Sequence, residues 1–183
     1  MKKLVLSVIG ADRPGIVAAV SAILFENRCN IEDVSQTLLQ TAFAGIFIIT
    51  LAEGLAPDVL ESRLRQGLES RGLHFHLEPL EAAGGPGAGG AEPFVVTTMG
   101  SDRLGLVAGV TGVMARYGVN ITGLKAVFRG GDDPMRNVMI YEVDVPSDVD
   151  RRAFREALHK EADALGLDLS IQHRDIFESI HRV

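Results

Sequence analysis

Residues 10–31, GADRPGIVAAVSAILFENRCNI, recur as residues 100–121, GSDRLGLVAGVTGVMARYGVNI. Nine positions are identical in the two copies, always at an offset of 90 residues. They are Gly10, Asp12, Arg13, Gly15, Val17, Ala18, Val20, Asn30 and Ile31, which return as Gly100, Asp102, Arg103, Gly105, Val107, Ala108, Val110, Asn120 and Ile121. A repeat of about half the chain length predicts two copies of one small domain.

Each copy, together with the residues directly before it, predicts a strand, a loop and a helix. An apolar stretch precedes each copy, at residues 4–9 and 94–99. After the Gly-x-Asp-Arg-x-Gly loop, apolar residues follow at helical spacing. They are Ile16, Val17, Val20, Ile23 and Leu24 in the first copy, and Leu106, Val107, Val110, Val113 and Met114 in the second. Since Pro14 suits the first turn of a helix, we predict helices over about residues 14–27 and 104–117.

The remaining elements complete the same order in both halves. In the first half we predict strands at residues 30–39, 43–52 and 73–80 and a helix from Pro57 to Gly72. In the second half we predict strands at 120–128, 137–145 and 167–174 and a helix over 147–165 that Ser147 opens. The order βαββαβ indicates an α+β, ferredoxin-like fold in each half. We expect an antiparallel four-stranded sheet with the first and third strands in its centre and both helices on one face.

The domain boundary is predicted from composition. Residues 82–92, AAGGPGAGGAE, form a glycine-rich linker between domain 1 (residues 1–81) and domain 2 (residues 93–183). Residues 129–134 lengthen the hairpin loop of the second copy. The C-terminal extension, residues 176–183, is expected to dock through Ile176, Phe177 and Ile180. We expect the two halves to pack as a pseudo-twofold pair and the chain to form a homo-oligomer, since open sheet edges favour pairing.

The composition excludes several classes of protein. A hydrophobic content of 46% and a charged content of 23% are ordinary for a globular protein. The net charge of −6 argues against direct nucleic-acid binding, as does the missing RNA-recognition pattern of basic and aromatic residues. Because the apolar run at residues 4–9 is short and no stretch reaches about 20 apolar residues, we expect neither a signal peptide nor a membrane span. The single cysteine fits a reducing compartment, so a cytoplasmic location is expected.

The sequence offers no pattern typical of an enzyme, a bound metal or a cofactor. Cys29 aligns with Val119, so packing explains it better than nucleophilic chemistry. His74 and His76 share one face of a predicted strand but have no third ligand of matching spacing. Asp132 and Asp133 are interpreted as solvated turn residues.

The repeated loop has two interpretations that can both hold. In the first, Asp12 and Asp102 cap the helices that follow. In the second, the loop binds a small molecule: free N–H groups at a helix N-terminus suit a carboxylate, and aspartate and asparagine oxygens suit an ammonium group. Asn30 and Asn120 begin the next strand in each copy. These groups together complement a zwitterionic amino acid.

The twin motifs DRPGIVAAVSAILFENRCNIEDVSQT and DRLGLVAGVTGVMARYGVNITGL resemble ACT domains. The resemblance covers nearly the whole chain and implies regulatory modules that bind amino acids at interfaces between domains. Two such domains joined by a short linker are similar to the glycine-cleavage-system repressor group, and CNIEDVSQTLLQ and RDIFESIHRV are similar to single-ACT proteins. We expect a ligand at either loop, with the first preferred because Pro14 restricts its backbone and Leu104 does not. The predicted site residues are Ala11, Asp12, Arg13, Pro14, Gly15, Asn30 and Ile31 in the first copy, and Ser101, Asp102, Arg103, Leu104, Gly105, Asn120 and Ile121 in the second.

Two functions follow as hypotheses. One is a non-enzymatic regulator that senses a small ligand, such as an amino acid, and changes its contact with a protein partner such as a transcription factor. The other is a ligand-free interaction or dimerisation module.

Overall fold

The computed structural model describes residues 2–81, 90–128 and 137–181, and the chain divides into two compact units, Met1–Ala83 and Gly84–Val183. The first unit contains β1 (Lys3–Ala11), α1 (Ile16–Glu26), β2 (Asn30–Leu39), β3 (Ala42–Thr50), α2 (Pro57–Leu68), a 3₁₀ turn (Glu69–Arg71) and β4 (His74–Pro79). The second contains β5 (Ala91–Gly100), α3 (Leu106–Arg116), β6 (Asn120–Phe128), β7 (Asn137–Pro146), α4 (Arg151–Ala164), β8 (Leu167–His173) and α5 (Arg174–His181).

Each unit has one four-stranded antiparallel sheet. The strand orders are β2-β3-β1-β4 and β6-β7-β5-β8, so the first and third strands of each unit lie in the centre. The predicted α+β, ferredoxin-like fold and its strand order are therefore confirmed.

The core of the first unit lies between one face of the sheet and both helices. Leu4, Leu6 and Val8 of β1 are buried and alternate with less buried residues, as the two-residue period of a strand requires. These residues form one apolar cluster with residues from β3 and from both helices, so α1 and α2 cover the same face. The fully buried members are Leu6, Val8, Val20, Leu24, Phe47, Ile49, Leu60, Leu64 and Leu68. Burial of each such side chain contributes roughly 1.5–3 kcal/mol. The second unit repeats this arrangement with α3 and α4.

Several boundaries differ from the predictions. α1 and α3 begin at Ile16 and Leu106, two residues later than predicted, so Pro14 precedes the helix. α4 begins at Arg151, because Asp150 caps it by accepting hydrogen bonds from the backbone N–H groups of residues 152 and 153. The Ser147 start was therefore wrong. β5 begins at Ala91, inside the predicted linker, while residues 82–89 and the 129–134 loop lie outside the described residues.

α5 lies on the opposite face of the second sheet, which the sequence analysis did not foresee. Glu142 and Asp144 alternate with the buried residues of β7 and so point away from the core. Arg174 Nη2 is 3.7 Å from Asp144 Oδ1 and 4.0 Å from Glu142 Oε2. Val95, on this outer face of β5, is 2% exposed and does not belong to the core cluster, because α5 packs beside it.

The predicted contacts of the extension are partly wrong. Ile176 is 54% exposed and does not dock, whereas Phe177 is partly buried and makes a contact. The side chain of Ile180 lies outside the described part of the structure.

Candidate functional site

The repeated loops end at an uncapped helix N-terminus in both units. Gly15 and Gly105 are the N-cap residues, with φ of 93° and 92°, and no side chain caps either helix. A positive φ is strained for residues with a Cβ, which explains the second glycine of each motif. The interpretation of Asp12 and Asp102 as helix caps was therefore wrong.

The uncapped ends leave backbone donors available. The first helical hydrogen bonds run from Ala19 N–H to Gly15 O and from Gly109 N–H to Gly105 O, each at 2.9 Å. The N–H groups of the three residues before each donor consequently have no partner within the helix. Together with the helix dipole, they give each loop a weakly electropositive pole that suits a carboxylate.

The first loop is open to solvent. Ala11, Asp12, Arg13, Pro14 and Gly15 are all exposed. The backbone N–H of residue 12 donates to the carbonyl of residue 41 at 2.8 Å, which ties the loop to the β2–β3 hairpin. Within residues 2–81, no hydrogen bond or ion pair engages the carboxylate of Asp12. That carboxylate is free to accept hydrogen bonds from a ligand.

The second loop is held at two points. Asn137 Nδ2 donates to Asp102 Oδ1 at 3.3 Å, and Arg103 Nη2 donates to the carbonyl oxygen of Ala164 at 3.5 Å. Ala164 is the last residue of α4, where unpaired carbonyls attract cations. Leu104 is 100% exposed, Gly105 is exposed and Ser101 is partly buried. The arginine side chain is thus engaged beside α4, and the aspartate is oriented by a residue of β7.

The structure does not bring the predicted asparagines to the loop of their own unit. Asn30 pairs with Thr50, which pairs with Lys3 at the start of β1, whereas Asp12 follows the other end of that strand. Eight residues of extended chain span roughly 27 Å. Asn120 is equally remote from Asp102, because it pairs with residue 144 at the far end of β7. Ile31 and Ile121 follow these asparagines in β2 and β6, and each is partly buried against the core of its own unit.

A buried polar group beneath the second loop was missed by the sequence analysis. Thr98, Asn137 and Tyr141 are 0%, 4% and 0% exposed, and all three point toward the helices. Among the described residues Asn137 Oδ1 has no hydrogen-bond partner, and the Thr98 hydroxyl lies beside that of Tyr141. The Tyr141 hydroxyl donates to Met139 Sδ at 3.3 Å, and burial raises the pKa of Tyr141. The sequence signal that could have revealed this group is the alternation of apolar and polar residues along β7. It places residue 137 on the buried face of the strand together with 139, 141, 143 and 145.

The first unit is apolar at the same three positions. Gly10 pairs with Phe43 and Gly100 pairs with Asn137, so Phe43 and Asn137 are structurally equivalent. By the same registers, Val8 corresponds to Thr98 and Phe47 to Tyr141. The Phe43 ring lies over Gly45, since a Cβ on that glycine would come within 2.9 Å of it. The two loops therefore differ in what lies beneath them.

The described residues also contain side chains of metal-binding and nucleophilic types outside the loops. They contain no group of three or more His, Cys, Asp or Glu side chains placed to hold a metal ion. Cys29 is buried, like the equivalent Val119, and its Sγ donates to the carbonyl of residue 27 at 3.6 Å. His74 and His76 are exposed on β4, and His76 Nε2 lies 3.5 Å from Glu78 Oε2. In the same part of the chain, no helix has the length and apolarity needed to cross a membrane.

Comparison with known sequences identifies both units. The profile described as "ACT domain" matches residues 2–78 and 92–172. A UPF0237 protein of Methanopyrus kandleri is 47% identical over 78 residues, which cover 43% of this chain and 83% of that protein. A UPF0237 protein of Methanosarcina acetivorans is 38% identical over 90 residues, which cover 49% of this chain and 95% of that protein. Each of these relatives matches a length equal to about one unit.

Comparison with solved structures extends over the whole chain. The crystal structure of an unknown protein from Galdieria sulphuraria has a TM-score of 0.77 at 24% identity and covers 94% of this chain and 98% of that one. The crystal structure of a proposed glycine cleavage system transcriptional repressor has a TM-score of 0.65 at 20% identity, covering 93% and 96%. At these identities the two likenesses show a common fold.

Proposed function

The chain belongs to the ACT domain family, and from that premise we propose that it is a non-catalytic regulatory protein that binds a small amino acid at its repeated loops. The observation that carries the proposal is the uncapped helix N-terminus that follows an aspartate in both units. Since neither Asp12 nor Asp102 caps its helix, their identity in both copies is not explained by local folding.

The chemistry of each loop supports a zwitterionic ligand. The free N–H groups at the start of α1 and α3 favour the ligand carboxylate, and the aspartate favours its ammonium group. The binding residues that we propose are residues 11–15 and 101–105. The expectation that the first loop binds more tightly, because of Pro14, stays a proposal. A ligand held at both ends would gain specificity that a simple anion lacks.

Asn30 and Asn120, with the isoleucines that follow them, belong to the proposed site through a second subunit. Each asparagine lies at the sheet end opposite its own loop, so a loop could meet an asparagine only on a second ACT domain. β2 is an edge strand that is exposed over nearly all of its length, and such an edge can pair with a strand of another subunit. We therefore propose a homo-oligomer in which domains pair around the ligand.

We propose that ligand binding changes the contact between this chain and a protein partner. The glycine cleavage system repressor with the same fold suggests a role in controlling amino-acid metabolism, through a partner such as a transcription factor. The buried free thiol of Cys29 fits a reducing cytoplasm.

The test is a titration of the twenty L-amino acids into the full chain, by calorimetry and by thermal shift. A ligand that binds only the folded protein raises its melting temperature by mass action. Asp12→Ala and Asp102→Ala, made singly and together, should weaken the binding of whichever amino acid raises the melting temperature. If no amino acid binds at millimolar concentration, the proposal is wrong.

A second function is favoured by one observation, the apolar surface of the first unit. Val34, Leu38 and Leu39 on β2 are 50%, 57% and 74% exposed, and Ile9 and Ile46 on the uncovered sheet face are 55% and 52% exposed. Such side chains mark a protein-binding surface. A ligand-free interaction module would show constant mass in light scattering with and without amino acids, and no thermal shift.

A further inference from the structure

We infer that in the second loop Asn137 joins Asp102 to form an ammonium-binding subsite of two acceptor residues, whereas the first loop has its aspartate alone. The inference rests on the proposed function and deepens it: the second loop requires a ligand with an N–H donor group, whereas the first loop is less demanding. The ligand class for the second loop is a small primary amine that also carries a carboxylate.

The geometry places two acceptors side by side. Asn137 Nδ2 donates to Asp102 Oδ1 at 3.3 Å, which fixes the amide with its nitrogen toward the carboxylate, because aspartate only accepts hydrogen bonds. Asn137 Oδ1 is bonded to the same carbon as this nitrogen, so it lies within one amide group of the contact with Asp102. It is buried and has no hydrogen-bond partner within the described part of the chain. An ammonium group between Asp102 and Asn137 Oδ1 would satisfy both acceptors.

Burial of an unpaired carbonyl oxygen is unfavourable, so its presence requires an explanation. Folding does not supply one, because the first unit folds in the same way with Phe43 at this position. Thr98, equivalent to Val8, adds a second buried oxygen on the same face of the sheet, beside the Tyr141 hydroxyl. Two apolar positions of the first unit have thus become polar in the second, and both lie under the loop.

The charge of Asp102 favours a cation at this position. Among the described residues, Arg103, the neighbour of Asp102 in the chain, is engaged by the carbonyl of Ala164. The free N–H groups of α3 begin directly after Gly105, so they remain available for a carboxylate on the same ligand. In the first loop, Asp12 faces no equivalent amide, since Phe43 offers only a ring.

The experiment compares an amino acid with its analogues that lack the amine. The probes are the tightest-binding L-amino acid of the twenty, its 2-hydroxy acid and its des-amino acid, titrated into the full chain. The variants are Asn137→Leu and, as the matched control at the equivalent position of the first unit, Phe43→Leu. We expect Asn137→Leu to weaken amino-acid binding at the second loop roughly tenfold or more, as for loss of a hydrogen bond to a charged group. Binding of the des-amino acid should change less than about twofold, and Phe43→Leu should leave the preference for the amine unchanged.

A measurement on the unmodified chain covers the case in which Asn137→Leu fails to fold. In ¹H–¹⁵N spectra, the Asn137 side-chain amide signals should shift on addition of the amino acid and not on addition of the des-amino acid. If amino acids bind but these signals stay unmoved, and Asn137→Leu binds them like the original chain, the inference is overturned and a buried water is the partner of Oδ1. If no amino acid binds the unmodified chain, the proposed function is wrong, and the inference that rests on it is wrong as well.

Discussion

Asn137 donates a hydrogen bond to Asp102 at 3.3 Å, from the sheet position that Phe43 occupies in the first unit. This contact is one of two side-chain hydrogen bonds that hold the second loop, the other being that of Arg103 to the Ala164 carbonyl. It joins a residue of the repeated motif to a residue of β7 that lies outside the motif. The repeat therefore specifies the backbone of the loop, while the third strand of each unit specifies what lies beneath it.

The first prediction concerns the stability cost of the buried amide. Replacing Asn137 by Leu, which has a similar branched shape, removes a buried carbonyl oxygen without a partner and loses one hydrogen bond to an exposed carboxylate. We expect the free energy of unfolding to rise by about 1 kcal/mol, because the unpaired group costs more than the bond contributes. Thermal and urea unfolding measure this. A loss of stability would mean that the amide is a structural element rather than a binding element.

The second prediction concerns the two aspartates. Asp12→Ala should change the stability by less than about 0.5 kcal/mol, because the side chain is exposed and caps nothing. Asp102→Ala should cost about 1 kcal/mol, since it leaves the Asn137 amide without its acceptor. Equal melting temperatures for the two variants would contradict the difference between the loops.

The third prediction concerns the glycines at the helix starts. Gly15→Ala and Gly105→Ala should each cost about 1–2 kcal/mol, because both residues have positive φ and the added methyl group meets no atom within 4 Å. The cost is therefore one of backbone conformation alone. Gly112→Ala is the control: it lies inside α3 with its nearest neighbour at 3.9 Å, so it should stabilise the chain by roughly 0.5–1 kcal/mol. Melting temperatures that move in the same direction for all three variants would exclude this explanation.

The sequence predicted the elements well because apolar periodicity dictates them. β2 matches its predicted bounds, α2 begins at the predicted Pro57, and the central strands are as expected. The start of α4 was predicted at Ser147 because Ser147, Asp148 and Asp150 are all good N-caps, and only the turn that follows Pro146 selects Asp150. The face that α5 covers could not be predicted, since a short amphipathic helix fits either side of a sheet.

The candidate site was predicted only in part. The loop residues follow from the repeat, but their chemistry depends on Asn137, which no repeat marks. Asn30 and Asn120 were grouped with the loops because they are identical in both copies. The strand order places them at the other end of the sheet from the loops. Their short distance from the loops along the sequence gives no indication of this separation.

The fourth prediction uses the buried tyrosine of the second unit. Burial raises the pKa of Tyr141, so the folded chain holds the phenol proton more tightly than the unfolded chain, whose tyrosine titrates near its ordinary value of about 10. The unfolded state therefore binds fewer protons above about pH 10, and this group makes the free energy of unfolding fall as the pH rises. Tyr141→Phe introduces the residue type found at the equivalent Phe47 and removes that contribution.

We expect Tyr141→Phe to match the original chain within about 1 kcal/mol at pH 7, because the hydroxyl donates to a thioether sulfur, which is a weak acceptor. Above pH 10 the variant should become the more stable of the two, by a margin that grows with pH. Urea unfolding at pH 7, 9, 10 and 11 measures the difference. Phe47→Tyr is the reciprocal control, since it buries a hydroxyl in the first unit and should lower stability at every pH. Parallel pH profiles for Tyr141→Phe and the original chain would show that the phenol already ionises freely in the folded state.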